Sequence, residues 1–147
     1  MTRLPPSLRQ SFPVFEPVPL RWDDNDIYGH LNNTVHYRLV DTAVNHWLLR
    51  QGLLDLQTST HINMVVETGC RFHAEAGFPD PVTAGLRIRA LGTTSVRWEI
   101  GLFRGQEDQA FADLTFTNVR TDKVSRRPEA IPPAQRAILQ LLLADPV

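Results

Sequence analysis

The sequence predicts an α+β fold in which a five-stranded antiparallel sheet wraps around one long central helix, with an extra helix at the C-terminus. Two observations predict it: the chain holds one long internal helical pattern, and the segments after that helix alternate apolar and polar residues with period two. At 147 residues the chain can bury one core but not two ordinary ones. We therefore expect a flexible N-terminal arm over residues 1–13 and a single domain over residues 14–147.

The first predicted elements of this domain are a strand and the long helix. Residues 14–24 are predicted to form an edge or irregular strand, because they contain two prolines, which cannot donate ladder hydrogen bonds. A segment dense in turn-forming residues follows, and residues 34–50 form the predicted helix. Asn32 or Asn33 would cap its start, and Gly52 lies where a left-handed residue commonly ends a helix.

The predicted helix carries two neighbouring apolar stripes. An apolar band that wide indicates a helix largely enclosed by protein. A single sheet covers only one side of such a helix, so we expect an exposed apolar stripe to be covered by a partner, most simply a second copy of the chain. The two stripes consist of Val35, Leu39 and Ala43, and of Val40, Val44, Trp47 and Leu48.

Four further strands are predicted after the helix, over residues 61–76, 81–92, 95–105 and 109–122. The connections after the first are short and turn-like, which favours antiparallel hairpins. A last amphipathic helix is predicted over residues 132–144, where two prolines mark its start. The inward positions of the strands are predicted to be Ala84, Leu86, Ile88 and Ala90 in one, and Val96, Trp98, Ile100 and Leu102 in the next.

Charge and composition exclude several classes of function. The formal net charge is −1, from 15 Lys+Arg and 16 Asp+Glu, so no global field draws the chain to nucleic acid or to an anionic membrane. No stretch approaches the roughly 18 apolar residues of a membrane span. Cys70 is the single cysteine, which excludes an intrachain disulfide and is typical of the cytoplasm.

Polar and ionisable residues crowd into residues 21–33, directly before the predicted helix. Three carboxylates and an imidazole lie within eight residues of one another. A helix N-terminus offers free backbone N–H groups and the positive end of a dipole, which stabilise an anion and can polarise a substrate oxygen. From this segment alone, catalysis and simple helix capping are about equally favoured.

Spacing argues against the other chemistries that this segment suggests. An EF-hand loop beginning at Asp24 would place Tyr28 and Val35 at ligand positions, where neither can bind calcium. His30 and His36 are not spaced as a helical zinc pair, and no HExxH motif or cysteine pair exists. The glycine-rich loops that cradle nucleotides are also missing from the sequence. We expect neither a metal nor an organic cofactor.

The run Asp24-x-Asp26-x-x-Gly29-His30-x-Asn32-Asn33, followed by a helix with an acid at Asp41, resembles the hotdog-fold acyl-CoA thioesterases of the 4-hydroxybenzoyl-CoA thioesterase family. The resemblance extends over about residues 14–122, through the strand order and the ETGCRF to FPDPV segment. It implies a hotdog fold and a homo-oligomer, a dimer or a tetramer, with the active site between protomers.

The resemblance also implies roles for three residues of the motif. Asp26 matches the family's catalytic carboxylate, which acts as a nucleophile or as a general base for water. The backbone N–H near Asn33 matches the donor that stabilises the oxyanion. His30 matches a histidine of the acyl-carrier-protein branch of the superfamily, where it would transfer a proton or orient the loop or the attacking water.

Further residues are candidates for binding the substrate. Coenzyme A phosphates would be held by Arg126 and Arg127, or by the face that carries Arg87 and Arg89. Three of the candidates, Glu67, Thr68 and Cys70, lie on a predicted strand, and their alternative role is ordinary packing within the sheet. Candidates for substrate binding are Tyr28, Gly29, His36, Glu67, Thr68 and Cys70, and Trp22, Trp47 and Phe72 are further candidates for lining an acyl pocket.

The leading hypothesis is therefore a cytoplasmic acyl-CoA thioesterase that hydrolyses its substrate with Asp26 and needs no metal or organic cofactor. An acyl carrier protein is an alternative carrier of the acyl group. One rival is a hotdog-fold hydratase or dehydratase, although His30 is four residues after Asp26 rather than five and no proline lies between them. The other rival is a non-catalytic acyl-binding dimer, in which the same motif only caps the helix.

Overall fold

The chain forms one antiparallel sheet and two α-helices in the computed structural model, which describes residues 2–145. The strand order across the sheet is β1-β3-β4-β5-β2, and every neighbouring pair is antiparallel. The predicted five-stranded sheet, long helix and C-terminal helix are confirmed. The elements are β1 (Val14–Pro17), α1 (Val35–Arg50), β2 (His61–Phe72), β3 (Val82–Leu91), β4 (Ser95–Arg104), β5 (Ala112–Asp122) and α2 (Pro133–Gln140).

One face of the sheet packs against α1 and forms the core. The rings of Trp98 on β4 and Trp47 on α1 meet edge to face, with centroids 5.7 Å apart. The Trp98 indole N–H donates a hydrogen bond to Asn118 Oδ1 at 3.0 Å, so this polar group is satisfied inside the core. The predicted inward positions are buried at Val96, Trp98, Ile100 and Leu102 and at Ala84, Leu86 and Ile88.

The expectation that α1 presents an exposed apolar stripe is wrong for the described chain. All seven apolar residues of the two predicted stripes are buried within a single chain. Segments outside the sheet complete the cover, because Leu31, Leu53 and Leu139 belong to the same core cluster. The exposed residues of α1 are mainly polar: Tyr37, Asp41, Thr42, His46, Leu49 and Arg50.

One predicted inward position is also wrong, because β3 contains a bulge. Ile88 pairs with Trp98, but Ala90 pairs with Arg97, so Arg89 is the extra residue. A bulge shifts the alternation of side chains by one position. Ala90 is consequently exposed although the two-residue period of the sequence places it in the core.

Several elements end earlier than predicted. β1 stops at Pro17, because Pro19, which follows it, cannot extend the ladder. α2 stops at Gln140, and the chain then runs beside β3, where the Ile88 N–H donates to the Leu142 carbonyl at 2.7 Å. Neither helix among residues 2–145 is long and apolar enough to cross a membrane.

The N-terminal segment differs from the expected flexible arm over residues 7–12. The Ala110 N–H donates to the Ser7 carbonyl at 2.9 Å, and the Arg9 N–H to the Asp108 carbonyl at 2.8 Å. Phe12 is buried on the outer face of the sheet, where its ring packs edge to face with that of Phe103, with ring centroids 5.7 Å apart. This packing has no local signal in the sequence, because its partners lie some ninety residues further along the chain.

Candidate active site

The loop that connects β1 to α1 is anchored by a buried carboxylate, Asp24. Its side chain accepts hydrogen bonds from the Arg21 N–H at 2.7 Å and from the Arg38 guanidinium at 2.7 Å. Its carbonyl accepts the Asn32 N–H at 3.0 Å. Burial opposes ionisation of this group, but the hydrogen bonds from Arg21 and Arg38 outweigh it and hold the pKa of Asp24 below its ordinary value of 3.8. Asp24 therefore ties the loop to the first turns of α1.

Asp26 lies two residues further on, in a tight turn. Its Oδ1 accepts the Tyr28 N–H at 2.8 Å and the His30 N–H at 3.4 Å. The Gly29 N–H donates to the Asp26 carbonyl at 3.1 Å, and Gly29 adopts a positive φ of 81°, which a side chain would make costly. Among residues 2–145, Asp26 Oδ2 has no hydrogen-bond partner. The turn thus orients the carboxylate and leaves one oxygen free.

The segment before α1 presents backbone donors beside this carboxylate. The prediction of Asn32 or Asn33 as the cap is wrong, because Thr34 is the residue that caps α1, without a side-chain hydrogen bond. Asn32 Oδ1 instead accepts the Thr34 N–H at 3.0 Å. Between these two residues, the Asn33 N–H has no acceptor in the described part of the chain. An unpaired N–H at a helix start is suited to bind a negatively charged oxygen.

A cleft of about 310 Å³ brings the predicted motif residues together. Three of its lining residues are buried, namely Leu31, His36 and Ala76. The whole lining comprises Asp26, Tyr28, His30, Leu31, Asn33, His36, Phe72, Ala74, Glu75 and Ala76. Predictions based on sequence placed five of these residues in the site as catalytic or binding groups: Asp26, Tyr28, His30, Asn33 and His36.

Two histidines enter the cleft in different ways. His30 is half-exposed, and its Nε2 lies 3.2 Å from a carboxylate oxygen of Glu75. His36 is only 4% exposed and packs edge to face on Phe72, with ring centroids 4.8 Å apart. Burial lowers the pKa of His36 below 6.5, and the nearby carbonyls of Asn33 and Asn32 offset only part of this shift. His36 is therefore neutral at pH 7.

The predicted binding residues of β2 do not line this cleft within one chain. Glu67 pairs across the sheet with Thr117, and the Thr68 hydroxyl donates to the Thr115 carbonyl at 2.9 Å. Cys70 packs against the core, and burial together with the nearby Asp113 carboxylate raises the pKa of its thiol to about 12. A thiol with that pKa is a poor nucleophile at neutral pH.

Other sequence candidates also lie outside the cleft. The Trp22 ring packs edge to face with the Phe78 ring, with ring centroids 6.0 Å apart, and Trp47 is a core residue. The four arginines predicted to bind phosphate are also not among the residues that line the cleft. The Arg87 side chain pairs with the Glu99 carboxylate at 2.8 Å, and the Arg89 side chain lies 3.8 Å from the same carboxylate. Arg126 and Arg127 are exposed. Of the candidate pocket residues, the structure brings Tyr28, His36 and Phe72 to the cleft.

Sequence reasoning missed the cleft wall formed by residues 74–76, which follow β2. This wall is joined to the Asp26 turn by hydrogen bonds: Leu31 N–H donates to the Ala76 carbonyl at 2.8 Å, and Asn25 Oδ1 accepts the Phe78 N–H at 2.9 Å. Gly77 permits this approach, since a Cβ there would lie 3.0 Å from both Asn25 Oδ1 and the Gly29 carbonyl. No local pattern marks contacts between segments so far apart in the chain.

No three His, Cys, Asp or Glu side chains in the described range converge to hold a metal ion. The cleft thus offers one carboxylate with a free oxygen, an unpaired backbone N–H, a half-exposed histidine paired with a glutamate, and a buried neutral histidine. A carboxylate beside oxyanion donors is suited to acyl transfer to water.

Residues 20–139 match the family model of the thioesterase-like superfamily. The chain belongs to that superfamily. A protein of Pseudomonas aeruginosa strain PAO1, known from its crystal structure, is 40% identical, with a TM-score of 0.93 and coverage of 97% of this chain and 100% of its own. The predicted family, hotdog fold and thioester hydrolase class are confirmed.

Two further solved structures resemble the chain. A thioesterase of Thermus thermophilus, complexed with coenzyme A and Zn, is 25% identical over 93% of this chain and 99% of its own, with a TM-score of 0.76. A 1,4-dihydroxy-2-naphthoyl-CoA thioesterase of Synechocystis is 16% identical over 86% of this chain and 94% of its own, with a TM-score of 0.76, and shows the fold alone. No curated protein matches the chain in sequence.

Proposed function

We propose that this member of the thioesterase-like superfamily hydrolyses acyl-CoA thioesters and that Asp26 is its catalytic carboxylate. One observation carries the proposal: Asp26 lies in the cleft with one oxygen free, beside a helix start that has an unpaired N–H. Membership of the superfamily supports the reaction. The Thermus thermophilus relative that binds coenzyme A supports the carrier.

The Asp26 carboxylate has two routes to hydrolysis. As a nucleophile, it attacks the thioester carbonyl carbon; the C–S bond then breaks, the coenzyme A thiolate leaves, and water hydrolyses the resulting anhydride. As a general base, it takes a proton from water while the water oxygen attacks the same carbon; the tetrahedral intermediate then collapses, the C–S bond breaks and the coenzyme A thiolate leaves. The hydrogen bond from the Tyr28 N–H to Oδ1 holds the carboxylate in place for either route.

Both routes place negative charge on the carbonyl oxygen in the transition state. The Asn33 N–H at the start of α1 is the donor that we assign to this oxygen, helped by the positive end of the helix dipole. His30, held by Glu75, is the group that we assign to orient water or to protonate the leaving thiolate. Tyr28, His36 and Phe72, which line the cleft, are the residues that we assign to flank the acyl group, with Gly29 shaping the turn that carries Tyr28.

The functional molecule that we propose is a homo-oligomer built on a dimer. β2 is at the edge of the sheet and is twelve residues long, and one side of its backbone has no strand partner among residues 2–145. Its exposed residues include Met64, Val65 and Val66, which are 45%, 45% and 61% exposed. Pairing of β2 with the same strand of a second copy would satisfy the backbone groups and cover these side chains. It would also bring Glu67, Thr68 and Cys70 next to the partner chain.

Release of free thiol from a panel of acyl-CoA esters tests the proposed activity. Wild type should turn over at least one ester, and Asp26→Asn should lose at least about a hundred-fold in kcat because the amide keeps the shape but neither attacks nor takes a proton. Asp23→Asn is the matched control, since Asp23 is an exposed aspartate of the same loop outside the cleft.

The carrier is tested in the same assay with acyl-loaded acyl carrier protein. Turnover of the carrier protein but not of coenzyme A esters would replace the carrier in the proposal. Equal activity of wild type and Asp26→Asn would remove Asp26 from the mechanism. Binding of acyl-CoA without turnover of either substrate would favour the non-catalytic acyl-binding dimer.

A further inference from the structure

The outer face of the sheet, which is turned away from α1, carries a groove of about 190 Å³. This groove shares no lining residue with the cleft that holds Asp26. Three arginines from three strands line it: Arg71 on β2, Arg87 on β3 and Arg97 on β4. Guanidinium groups bind the oxygens of phosphates and carboxylates through charge-assisted hydrogen bonds, so a groove with three of them is suited to an anion.

Two of these arginines, Arg71 and Arg97, have no side-chain hydrogen bond or ion pair to any residue of 2–145. Arg71 lies directly opposite Asp113 in the pairing of β2 with β5, which would make this carboxylate its natural partner. Asp113 Oδ2 instead accepts the Ser7 N–H at 3.0 Å and lies 2.8 Å from His73 Nε2. The guanidinium of Arg71 is therefore left available to a ligand.

Arg97 lacks an acidic neighbour for a different reason. On the two adjacent strands, the residues directly opposite it are Thr117 and Ala90. The nearest lining carboxylate along its own strand, Glu99, accepts a hydrogen bond from Arg87 Nε at 2.8 Å. Both carboxylates that line the groove thus have partners, and the charges of Arg71 and Arg97 remain unbalanced.

Arg87 and two hydroxyls complete the lining. The Arg87 guanidinium is fixed by Glu99 and by the Phe12 ring, whose centroid is 4.7 Å away. Ser7 lies in the N-terminal segment that forms one wall, and Thr115 lies on β5. Their hydroxyls can donate to an anion as well. The groove therefore offers donors from several sides, on backbone that is already held in place.

We propose that this groove binds a phosphate group, held by Arg71 and Arg97 with the Ser7 and Thr115 hydroxyls as further donors. A carboxylate has two oxygens in one plane, which a single arginine satisfies, whereas a phosphate presents at least three oxygens and up to two charges to donors on different sides. Sites that enclose drug-sized ligands measure roughly 300–1,000 Å³. The smaller groove fits a phosphate or a diphosphate rather than a whole nucleotide.

Two molecules can supply such a group: a free small phosphate, or the nucleotide end of coenzyme A. Calorimetric titration with inorganic phosphate and with adenosine 3′,5′-diphosphate, at constant ionic strength, tests for the site. Wild type should bind at least one of these probes at one site per chain. Arg71→Gln and Arg97→Gln should each weaken this binding about ten-fold or more, because each removes charge-assisted hydrogen bonds. Both arginines are exposed, so glutamine disturbs no core packing.

Lys123→Gln is the control for a general loss of positive charge. Lys123 is exposed and lies outside the groove, so its replacement should keep the affinity within about two-fold of wild type. If neither probe binds to wild type at millimolar concentration, or if binding persists when Arg71→Gln and Arg97→Gln are combined, the site does not exist. The titrations require no turnover, so their result is independent of the proposed thioesterase function.

Kinetics with an acyl-CoA and the matching acyl-pantetheine identify the source of the phosphate. If coenzyme A supplies it, Arg71→Gln should raise KM for acyl-CoA about ten-fold and leave KM for acyl-pantetheine, which has no phosphate, unchanged. If both KM values stay unchanged while Arg71→Gln weakens the binding of inorganic phosphate, the ligand is a free phosphate. Either result supports the site and assigns its ligand. An equal rise of both KM values would show that Arg71 acts on the cleft and not through a phosphate.

Discussion

Asp24 and Asp26 show how differently two aspartates two residues apart can be used. Asp24 is 1% exposed and bound by two arginines, whereas Asp26 faces the cleft. The family resemblance gives a role to Asp26 alone, and the arginine that fixes Asp24, Arg38, lies fourteen residues later on α1. Asp24 is therefore a structural carboxylate, and its removal should affect stability more than chemistry.

Asp24→Asn should lower the free energy of unfolding by about 2 kcal/mol, since it leaves the hydrogen bonds of Arg21 and Arg38 without their charged acceptor. The lowered pKa of Asp24 means that its stabilisation is present above its unfolded value of about 3.8 and is lost as the pH falls through the folded value. Urea unfolding between pH 3 and pH 7 should show a shallower acid dependence in the variant. An unchanged acid dependence would contradict this account.

Glu75 and His30 should behave as one functional unit. Their side chains are 72% and 44% exposed, so their contact adds little to stability, and we expect its effect in catalysis. Glu75→Gln should lower kcat several-fold through loss of His30 orientation. If the two act together, Glu75→Gln in the His30→Gln background should have little further effect. Kinetics of the two single variants and the double variant measure the coupling, and additive losses would show that they act independently.

At the scale of elements, the sequence predicted the helix and strands well because each has its own period. α1 begins at Val35 and ends at Arg50, against a predicted 34–50, and β4 spans Ser95–Arg104, against 95–105. The bulge at Arg89 and the packing of the N-terminal segment were missed, since both depend on partners distant in the chain. The cleft follows the same rule: Asp26 and His30 lie in one local motif, whereas Glu75 joins them only in the folded chain.

The N-terminal segment is packed onto the sheet through two glycines. Ideal Cβ atoms at Gly85 and Gly101 would lie 2.7 Å and 2.9 Å from the Phe12 ring, so the ring occupies the space that side chains would fill. Gly85→Ala should destabilise the protein by about 1–3 kcal/mol through overpacking, and Phe12→Ala by about 3–4 kcal/mol through a cavity.

A double variant separates this contact from general effects of the two substitutions. In the Phe12→Ala background, Gly85→Ala should cost much less than it does alone, because the ring that it displaces is absent. Urea unfolding of the two single variants and the double variant measures the coupling. Costs that simply add would show that Phe12 does not occupy the space above Gly85 in solution.

At the scale of the whole molecule, the surface that a second copy would cover is the edge of the sheet rather than α1. The helix needs no partner, because its apolar residues are covered within the chain. β2 retains one unpaired backbone edge and three exposed apolar residues in succession at positions 64–66. An exposed edge of this kind invites pairing with an identical strand across a two-fold axis.

Val66→Lys should convert the proposed dimer to a monomer, because Val66 is the most exposed of these three residues and a charge at a paired edge is expensive to bury. Light scattering coupled to gel filtration measures the mass against 16.7 kDa for one chain. Val124→Lys is the matched control, since Val124 is 91% exposed outside the sheet and should leave the mass unchanged. Wild type at the mass of one chain would refute the dimer. If monomeric Val66→Lys retains full thioesterase activity, the cleft formed by Asp26 and residues 74–76 is complete in one chain. If the activity is lost together with the dimer, residues of the partner chain belong to the site.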